Sequence, residues 1–341
     1  MLRRCPLALL VVLPAFAAPV PKKVVTPITA ANTADLRLVK EVARRASSVQ
    51  LGPASGQLTL VDYARSVEVV DDVEFKPVKD SPTGLKPMYL ATSADGKYRA
   101  WVEQKAPKYL LEDVAGKKTT EIEFGGSGSS CAFSPDGKTL AIGYNVFPPG
   151  MPNGFSESRL YDTATGKLLH TLEQDGQGGL TPVFSPDGKT LAVGNRNHPT
   201  KLYDVKTGKV LHTLNRAMTQ GIAFSPDSTK LAAAYVDGKV AVWDVASGEK
   251  LGEAKSSCEE LYSVDWGKTG DVLATSGRNG KVEVWDAAKL TVLKELDVGF
   301  WVIAVRFTID GSRLLTASAS DHAATADRKL SVFALIGGLK K

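Results

Sequence analysis

Short apolar runs alternate with turn-forming polar residues along most of this chain. Around residue 133, an apolar strand end, Cys131-Ala132-Phe133, is followed by Ser134-Pro135-Asp136-Gly137 and then by Lys138-Thr139-Leu140-Ala141. Proline fixes φ near the value that the second position of a turn requires, and glycine tolerates the positive φ of a later position. The pattern therefore predicts a β-hairpin with its turn at residues 134–137.

This hairpin sequence is repeated. FSPDGKTLA occupies residues 133–141 and again residues 184–192, and the variant FSPDSTKLA occupies residues 224–232. With the last apolar position of the first strand as a ruler, most units are 40 to 42 residues apart, but Phe133 and Phe184 are 51 apart. Self-similarity at such a period is typical of repeat architectures. The ruler predicts seven units, with first strands that end near Leu51, Thr92, Phe133, Phe184, Phe224, Trp266 and Phe307.

A second landmark recurs inside the units. An aliphatic residue, an aromatic residue and an aspartate end a further strand, and a Gly-containing turn and a last strand follow. The four clear copies are Leu160-Tyr161-Asp162, Leu202-Tyr203-Asp204, Val242-Trp243-Asp244 and Val284-Trp285-Asp286, and Glu112-Asp113 makes a degenerate fifth. Each unit is therefore predicted to contain four short strands, with no helical periodicity.

These features together resemble the WD40-repeat family, and specifically its exported bacterial members. The FSPDGKTLA hairpin, the strands that end in Trp-Asp or Tyr-Asp and the period near 41 residues carry the resemblance over nearly the whole chain after its N-terminal segment. The resemblance implies an all-β fold, a seven-bladed β-propeller of four-stranded antiparallel blades around a central channel. The Gly-His pair that usually opens such a repeat is missing, so the resemblance implies an incomplete His–Ser/Thr–Asp–Trp tetrad in every blade.

The two ends of the repeat region are complementary. The last unit stops at residues 329–333, which supply a third strand but no fourth, and residues 36–43 precede the first unit without a hairpin of their own. In the family that the sequence resembles, the N-terminal segment commonly completes the last blade. We predict the same closure here, because it removes two exposed sheet edges.

The first 35 residues differ from the rest. Arg3 and Arg4 precede an apolar run over residues 7–16, and Ala15-Phe16-Ala17 provides a small-x-small cleavage site. We interpret residues 1–18 as a secretory signal peptide, since the apolar run is shorter than the ~20 residues of a bilayer span. Residues 19–35 are rich in Pro, Ala and Thr and predict a flexible leader to a propeller over residues 36–341. The expected location is the periplasm or the extracellular space.

Composition and charge limit the classes of partner that are expected. The 341 residues are 43% hydrophobic and 23% charged, and the formal net charge of +5 falls to +3 when two arginines leave with the signal peptide. No Lys/Arg-rich block is present, so we expect no nucleic-acid partner and, in the mature chain, no membrane span. Cys131 and Cys258 lie in repeats three apart, which predicts two free, mostly buried thiols. A monomer is expected.

No catalytic, cofactor or metal site is predicted. Gly137-Lys138-Thr139 lacks both the upstream glycine and the following helix of a phosphate-binding loop. The four histidines, His170, His198, His212 and His322, lack partners at metal-ligand spacing. The repeat aspartates recur once per unit at a turn, which indicates a structural role.

The irregular loops between repeated strands are the candidate binding surface. An inserted loop over residues 145–157 accounts for the long spacing and contains Phe147, Met151 and Phe155. Aromatic residues and Met are favoured interface anchors, although the insert could instead fold back and bury these side chains. The same face is predicted to carry Arg196, His198, Tyr262, Arg278, Phe300 and Trp301.

The sequence thus favours a non-enzymatic, exported scaffold that docks a protein or peptide on its loop face. An alternative is an exported propeller enzyme or small-ligand binder, lactonase-like or quinoprotein-like, with its site at the channel mouth. That class needs carboxylates or histidines that converge on the channel. A third possibility is a structural envelope protein tethered by its leader.

Overall fold

The computed structural model describes most of the repeat region. The described residues are 26–43, 48–51, 57–61, 67–71, 76, 87–103, 108–124, 126–146, 154–172, 180–215, 218–299, 301–319 and 329–335. The predicted signal peptide, and residues 19–25 of the predicted leader, lie outside this part of the chain.

Among the described residues, the regular structure consists of short β-strands and one 3₁₀ turn at Thr33–Asp35. The strands are β1 Leu36–Ala43, β2 Ser48–Leu51, β3 Gln57–Val61, β4 Val67–Asp71, β5 Pro87–Thr92, β6 Tyr98–Glu103, β7 Lys108–Asp113, β8 Lys118–Glu123, β9 Gly126–Phe133, β10 Thr139–Val146, β11 Phe155–Asp162, β12 Leu168–Leu172, β13 Leu180–Phe184, β14 Thr190–Asn195, β15 Lys201–Asp204, β16 Val210–Thr213, β17 Thr219–Phe224, β18 Lys230–Tyr235, β19 Lys239–Asp244, β20 Lys250–Lys255, β21 Leu261–Trp266, β22 Val272–Gly277, β23 Lys281–Asp286, β24 Thr291–Asp297, β25 Trp301–Phe307, β26 Arg313–Ala319 and β27 Lys329–Leu335.

The strands form antiparallel sheets, which we number in chain order. The first sheet has the three strands β2-β3-β4. The second to sixth sheets have four strands each, from β5-β6-β7-β8 to β21-β22-β23-β24, and the seventh has the order β1-β27-β26-β25. The first strands of successive sheets pack side by side, as β13, β17, β21 and β25 show. The predicted all-β fold is confirmed, and the arrangement is consistent with a β-propeller.

The repeat ruler locates the first strand of every sheet. Strands β2, β5, β9, β13, β17, β21 and β25 end at the seven landmark residues, from Leu51 to Phe307. The Tyr-Asp and Trp-Asp landmarks likewise end the third strands, for example β11 at Asp162 and β23 at Asp286. Apolar side chains between neighbouring sheets form the core, and Tyr203, Tyr235 and Trp285 are almost fully buried there.

The predicted turn chemistry is present at the repeated hairpins. Ser134 Oγ donates to Asp136 Oδ1 at 2.6 Å, and the same carboxylate oxygen accepts from Lys138 N at 3.1 Å. Gly137 follows at φ +70°. The Ser134 hydroxyl is the main cause that holds the pKa of Asp136 below its usual value. The repeat aspartates therefore organise backbone turns.

Acidification below about pH 4 is expected to destabilise the protein through these turns. Hydrogen bonds from a neighbouring Ser or Thr hydroxyl lower the folded-state pKa of Asp95, Asp136, Asp162, Asp204 and Asp227. The unfolded chain, with Asp pKa values near about 3.9, therefore takes up protons first as the pH falls. The stabilisation is complete above that value and is lost as the pH drops through the lower folded values.

Thermal unfolding between pH 2.5 and 6 measures this effect. Replacing Asp136 and Asp227 with asparagine should flatten the acid limb of the curve, because the two groups no longer titrate. Asp265 acts in the opposite direction, since burial raises its pKa. A midpoint that stayed constant down to pH 3 would contradict the turn-based explanation.

The N-terminal strand closes the seventh sheet. β1 pairs antiparallel with β27 from Leu36↔Leu335 to Ala43↔Lys329, with a bulge between Leu38 and Lys40. The predicted pairing of these two segments is confirmed. Leu36 is buried in a cluster with Leu314 and Phe333.

Residues 26–35 differ from the expected flexible leader. Ile28 is fully buried among apolar residues of the sixth and seventh sheets, and its N–H donates to Gly311 O at 2.8 Å. Ala30 N donates to Asp271 Oδ2 at 2.8 Å. The expectation is wrong for this part of the leader, because one apolar residue and two backbone hydrogen bonds fix it to the sheets.

Neighbouring sheets interlock through outer strands and turns. His170 Nε2 is 2.9 Å from Lys206 O in the next sheet, and His212 Nε2 is 2.8 Å from Ala246 O. Turn glycines at positive φ lie directly against these rings, so that a Cβ at Gly248 would be 2.7 Å from His212 Cγ. These contacts explain why a histidine recurs at the equivalent position of two consecutive outer strands, as His170 and His212.

The side chains show how the tryptophans of the repeats are hydrogen-bonded and whether the two cysteines are paired. Trp285 Nε1 donates to Thr275 Oγ1 at 2.9 Å, which is one bond of the expected tetrad, whereas Trp243 Nε1 donates to Tyr235 OH at 3.1 Å. Cys131 and Cys258 are both unpaired, as predicted. Burial raises the pKa of Cys131 to about 12 and that of Cys258 to about 11, so both are protonated at neutral pH.

Candidate functional site

The candidate binding residues predicted from the sequence lie at one end of the sheets, as far as the structure describes them. In an antiparallel sheet, the start of the first strand, the end of the second and the start of the third lie at the same end. We call this end the loop face. It carries Phe155 at the start of β11, Arg196 and His198 after β14, Tyr262 as the second residue of β21, Arg278 after β22 and Trp301 at the start of β25.

Three of these predicted residues are brought together between the sixth and seventh sheets. The Tyr262 and Trp301 rings are 6.2 Å apart between centroids and tilted by 52°. The Arg278 guanidinium carbon lies 5.1 Å from the centre of the Trp301 ring. Both distances are within the range of attractive aromatic and cation–π contacts. We call these residues, together with Glu260, the loop-face cluster.

Glu260 joins the cluster and was not predicted from the sequence. Its carboxylate accepts from Tyr262 OH at 3.1 Å and lies 3.6 Å from Arg278 Nη1. Its backbone carbonyl accepts from Arg278 N at 3.0 Å. Gly277 allows this approach, because a Cβ there would be 2.3 Å from Glu260 O. The only sequence signal was a glycine directly before Arg278.

A recurring bulge positions Tyr262. The register of β21 against β22 shifts between Leu261 and Ser263, so Tyr262 is the extra residue. The first strands β5, β17 and β25 shift at the same distance from their ends, which makes Met88, Gln220 and Ile303 the corresponding residues. Bulges re-aim side chains and often lie next to functional sites. The sequence ruler did not reveal this position.

A charged pair fixes the two first strands that support the cluster. Asp265 and Arg306 are the only charged residues in the described first strands. Asp265 Oδ2 accepts from Phe307 N at 2.7 Å, and Arg306 Nη1 donates to Val264 O at 3.3 Å. In both bonds the donor lies in β25 and the acceptor in β21. They hold Tyr262 and Trp301 at a defined separation.

Arg196 and His198 lie in the fourth sheet, apart from the cluster in the sixth and seventh. Asn195 Oδ1 accepts from Asn197 N at 2.8 Å and from His198 N at 3.1 Å, which shapes their turn. Arg196 is exposed and His198 is half-buried. The structure therefore places both on the loop face but does not unite them with Trp301.

The insert is partly hairpin rather than loop. β10 extends to Val146 and β11 begins at Phe155, and these two residues are paired. Ser156 Oγ donates to Asn145 Oδ1 at 2.7 Å, and Tyr144 OH donates to Glu157 Oε1 at 2.6 Å. The expected loop boundaries of 145–157 are therefore wrong, because these cross-strand pairs extend the ladder. Phe147, Met151 and Phe300 lie outside the described residues, so their exposure stays a prediction.

Metal-binding clusters and membrane spans were also sought in the structure. Within the described ranges, no group of three His, Cys, Asp or Glu side chains is placed to hold a metal ion. No helix formed by these residues is long and apolar enough to cross a membrane.

Comparisons with known proteins match parts of this repeat region. A family model described as Eukaryotic translation initiation factor eIF2A matches residues 153–279. WD repeat-containing protein 1 of Xenopus tropicalis is 29% identical over 85 residues, which are 24% of this chain and 14% of that protein. This relative has WD repeats by name, and the match agrees with the repeated hairpins and the Trp-Asp strand ends. The repeat region is therefore similar to proteins with WD repeats.

Other matches to the repeat region are equally partial. Eukaryotic translation initiation factor 3 subunit I of Neurospora crassa is 31% identical over 100 residues, which are 29% of each protein. The same subunit of Pyricularia oryzae is 30% identical over 100 residues, again 29% of each. The matched segments thus span less than one third of these relatives' lengths. The similarity concerns the repeats, and the relatives' activities are not transferred with it.

Proposed function

We propose that this chain is a non-enzymatic WD40 scaffold that docks a protein or peptide partner on its loop face. The observation that carries the proposal is the loop-face cluster, where Tyr262, Arg278 and Trp301 converge around Glu260. Tyr, Trp and Arg are the residues most enriched among interface hot spots. Relatives that carry WD repeats support the same class of function.

The geometry of the cluster suits docking. Tyr262 and Trp301 are each half-buried, and Arg278 is exposed. Aromatic side chains with few rotatable bonds lose little entropy on binding. The two strands that hold the rings are fixed to each other by Asp265 and Arg306. A partner would therefore meet a preformed surface.

The proposal includes a seven-bladed ring and export. In this proposal the six four-stranded sheets and the three-stranded first sheet are the seven blades, and β1 is the closing strand. The N-terminal pattern at residues 1–18 directs the chain to the periplasm or the extracellular space. N-terminal sequencing of the protein from the exported fraction should show a start near residue 18, and an intact Met1 would contradict export.

Site-specific cross-linking tests docking. A photoreactive amino acid at Glu259, an exposed position next to the cluster, should form a discrete adduct with the partner in the producing cells. Trp301→Ser should reduce the adduct about tenfold or more, because it removes an aromatic hot spot worth ~2 kcal/mol. The adduct is measured by immunoblot and identified by mass spectrometry.

The control uses the same reagent at Leu251, an exposed residue of the outer strand β20. It should yield no discrete adduct. Equal adducts at both positions, or an adduct at Glu259 that Trp301→Ser leaves unchanged, would contradict docking at the cluster. Serine at Phe147, Met151 and Phe155 tests separately whether the insert contributes.

A further inference from the structure

The loop-face cluster has the composition of a cation site. The Arg278 guanidinium carbon lies 5.1 Å from the Trp301 ring centre, and Arg278 Nη1 lies 3.6 Å from Glu260 Oε1. An aromatic face attracts a cation through its quadrupole, and a carboxylate adds direct charge attraction. Tyr262 is the neighbour of both groups, since its ring is 6.2 Å from the Trp301 ring and its OH donates to Glu260 Oε2. The chain itself thus shows that a guanidinium fits there.

Arg278 is held loosely by its side chain. The 3.6 Å separation from Glu260 is too long for a good hydrogen bond, and the two side chains are 44% and 33% exposed. Ion pairs at such exposure contribute little to stability. The Arg278 side chain can therefore leave the cluster at small cost.

The backbone under the cluster, in contrast, is fixed. Arg278 N donates to Glu260 O at 3.0 Å, and Asn279 Nδ2 donates to Ser257 O at 3.0 Å. Tyr262 OH donates to Glu260 Oε2, which keeps the carboxylate beside the rings. Departure of the arginine side chain would leave the two rings and the carboxylate in place.

The surrounding loops are acidic although the chain is basic overall. The segments 255–260, 278–280 and 297–299 carry Glu259, Glu260 and Asp297 against Lys255 and Arg278. Lys255 Nζ is bound to the carbonyl of Asp237. Without Arg278 in the cluster, the carboxylates outnumber the nearby cations three to one, which favours a cationic occupant.

We propose that Tyr262, Trp301 and Glu260 form a recognition site for a lysine or arginine side chain of a basic peptide segment, with Arg278 as the internal occupant that the partner displaces. The proposal rests on the docking function proposed above and specifies the chemistry of the partner. Arg278 then acts as a competitor that lowers the affinity for weakly basic segments. The partner gains the cation–π and carboxylate contacts that Arg278 gives up.

Titration of the full chain with short defined peptides tests the site. The probes are a Gly/Ala peptide with one central arginine, the same peptide with citrulline, and the same peptide with glutamate. Binding is followed by the Trp301 indole NMR signal, assigned through Trp301→Phe. The arginine peptide should bind at least about fivefold more tightly than the citrulline peptide, since one exposed cation–π contact accounts for a factor of this order.

The variants separate the competing explanations. Arg278→Ala should strengthen binding of the arginine peptide about three- to tenfold, whereas Glu260→Gln should weaken it by a similar factor. Arg196→Ala, on the same face but in the fourth sheet, should change nothing. Thermal unfolding of each variant verifies that it is folded.

Two results would overturn the proposal. Preferential binding of the glutamate peptide that Arg278→Ala abolishes would make the cluster an anion site. Absence of binding by every peptide, while Trp301→Ser still removes the partner adduct at Glu259, would refute cation recognition and leave docking intact. If Trp301→Ser did not reduce the adduct at Glu259, the docking function itself would be refuted.

Discussion

Leu36→Ala is expected to lower the free energy of unfolding by about 2–5 kcal/mol, whereas Leu38→Ala should lower it by less than about 0.5 kcal/mol. Leu36 is 0% exposed in the cluster of the sixth and seventh sheets, and Leu38, two residues along the same strand, is 47% exposed. The first change leaves a cavity beside Leu314 and Phe333. The second removes a side chain that is already half in water.

Urea unfolding of the two variants measures the difference. Both substitutions delete the same atoms from the same strand, so strand propensity and composition cancel in the comparison. β1 closes the seventh sheet, and loosening it exposes the edge of β27 to pairing with another chain. Equal losses at Leu36 and Leu38, or no loss at Leu36, would show that β1 does not close the sheet in solution.

The sheets were predictable because their signals are local. Proline, aspartate and glycine at each FSPDG turn set the backbone angles within four residues, and their repetition sets the period. The strand ends at Phe133, Phe184 and Trp266 follow directly from that ruler. Ile28 was missed because its partners lie more than 200 residues away, and the composition of its own segment is typical of a linker.

The candidate site was predictable only in part. Tyr262, Arg278 and Trp301 stand out because they are irregular residues at positions where the repeat has loops. Their contact depends on a bulge at Tyr262 and on the approach of Glu260 to Gly277. The spacing of the sequence repeats predicts neither feature. Arg196 and His198 share the same loop positions, yet they belong to another sheet. Position along a repeat therefore identifies the face but not the cluster.

The second large loss of stability is expected at Gly248, in a contact between neighbouring sheets. Gly248→Ala should destabilise the protein by about 2–4 kcal/mol, because an L-residue at φ +72° costs ~1–2 kcal/mol and the new Cβ would overlap the His212 ring. Gly188→Ala is the matched control. Its φ is also +72°, but the nearest atom is 3.7 Å from the Cβ position, so only the backbone cost of ~1–2 kcal/mol should appear.

The fifth and sixth sheets show the same contact reversed. There the strand residue is Gly252, and Leu290, at φ +54°, occupies the turn position that glycine holds in the third, fourth and fifth sheets. Its Cδ1 lies 2.9 Å from where a Cβ of Gly252 would be. One side of each contact must therefore be small, and which side is small is interchangeable.

This reversal predicts a rescue. In a chain with His212→Gly, the further change Gly248→Ala should cost about 1 kcal/mol less than it does in the natural sequence, because the overlap with the ring is gone and the φ cost remains. A thermodynamic cycle of the four proteins measures this coupling by urea unfolding. The same cycle built on Gly188 with His212 should show no coupling, because those two residues are not in contact. Additive effects at Gly248 and His212 would mean that the sheets separate enough to absorb the extra methyl group, and that the histidine–glycine contact does not fix the spacing between sheets.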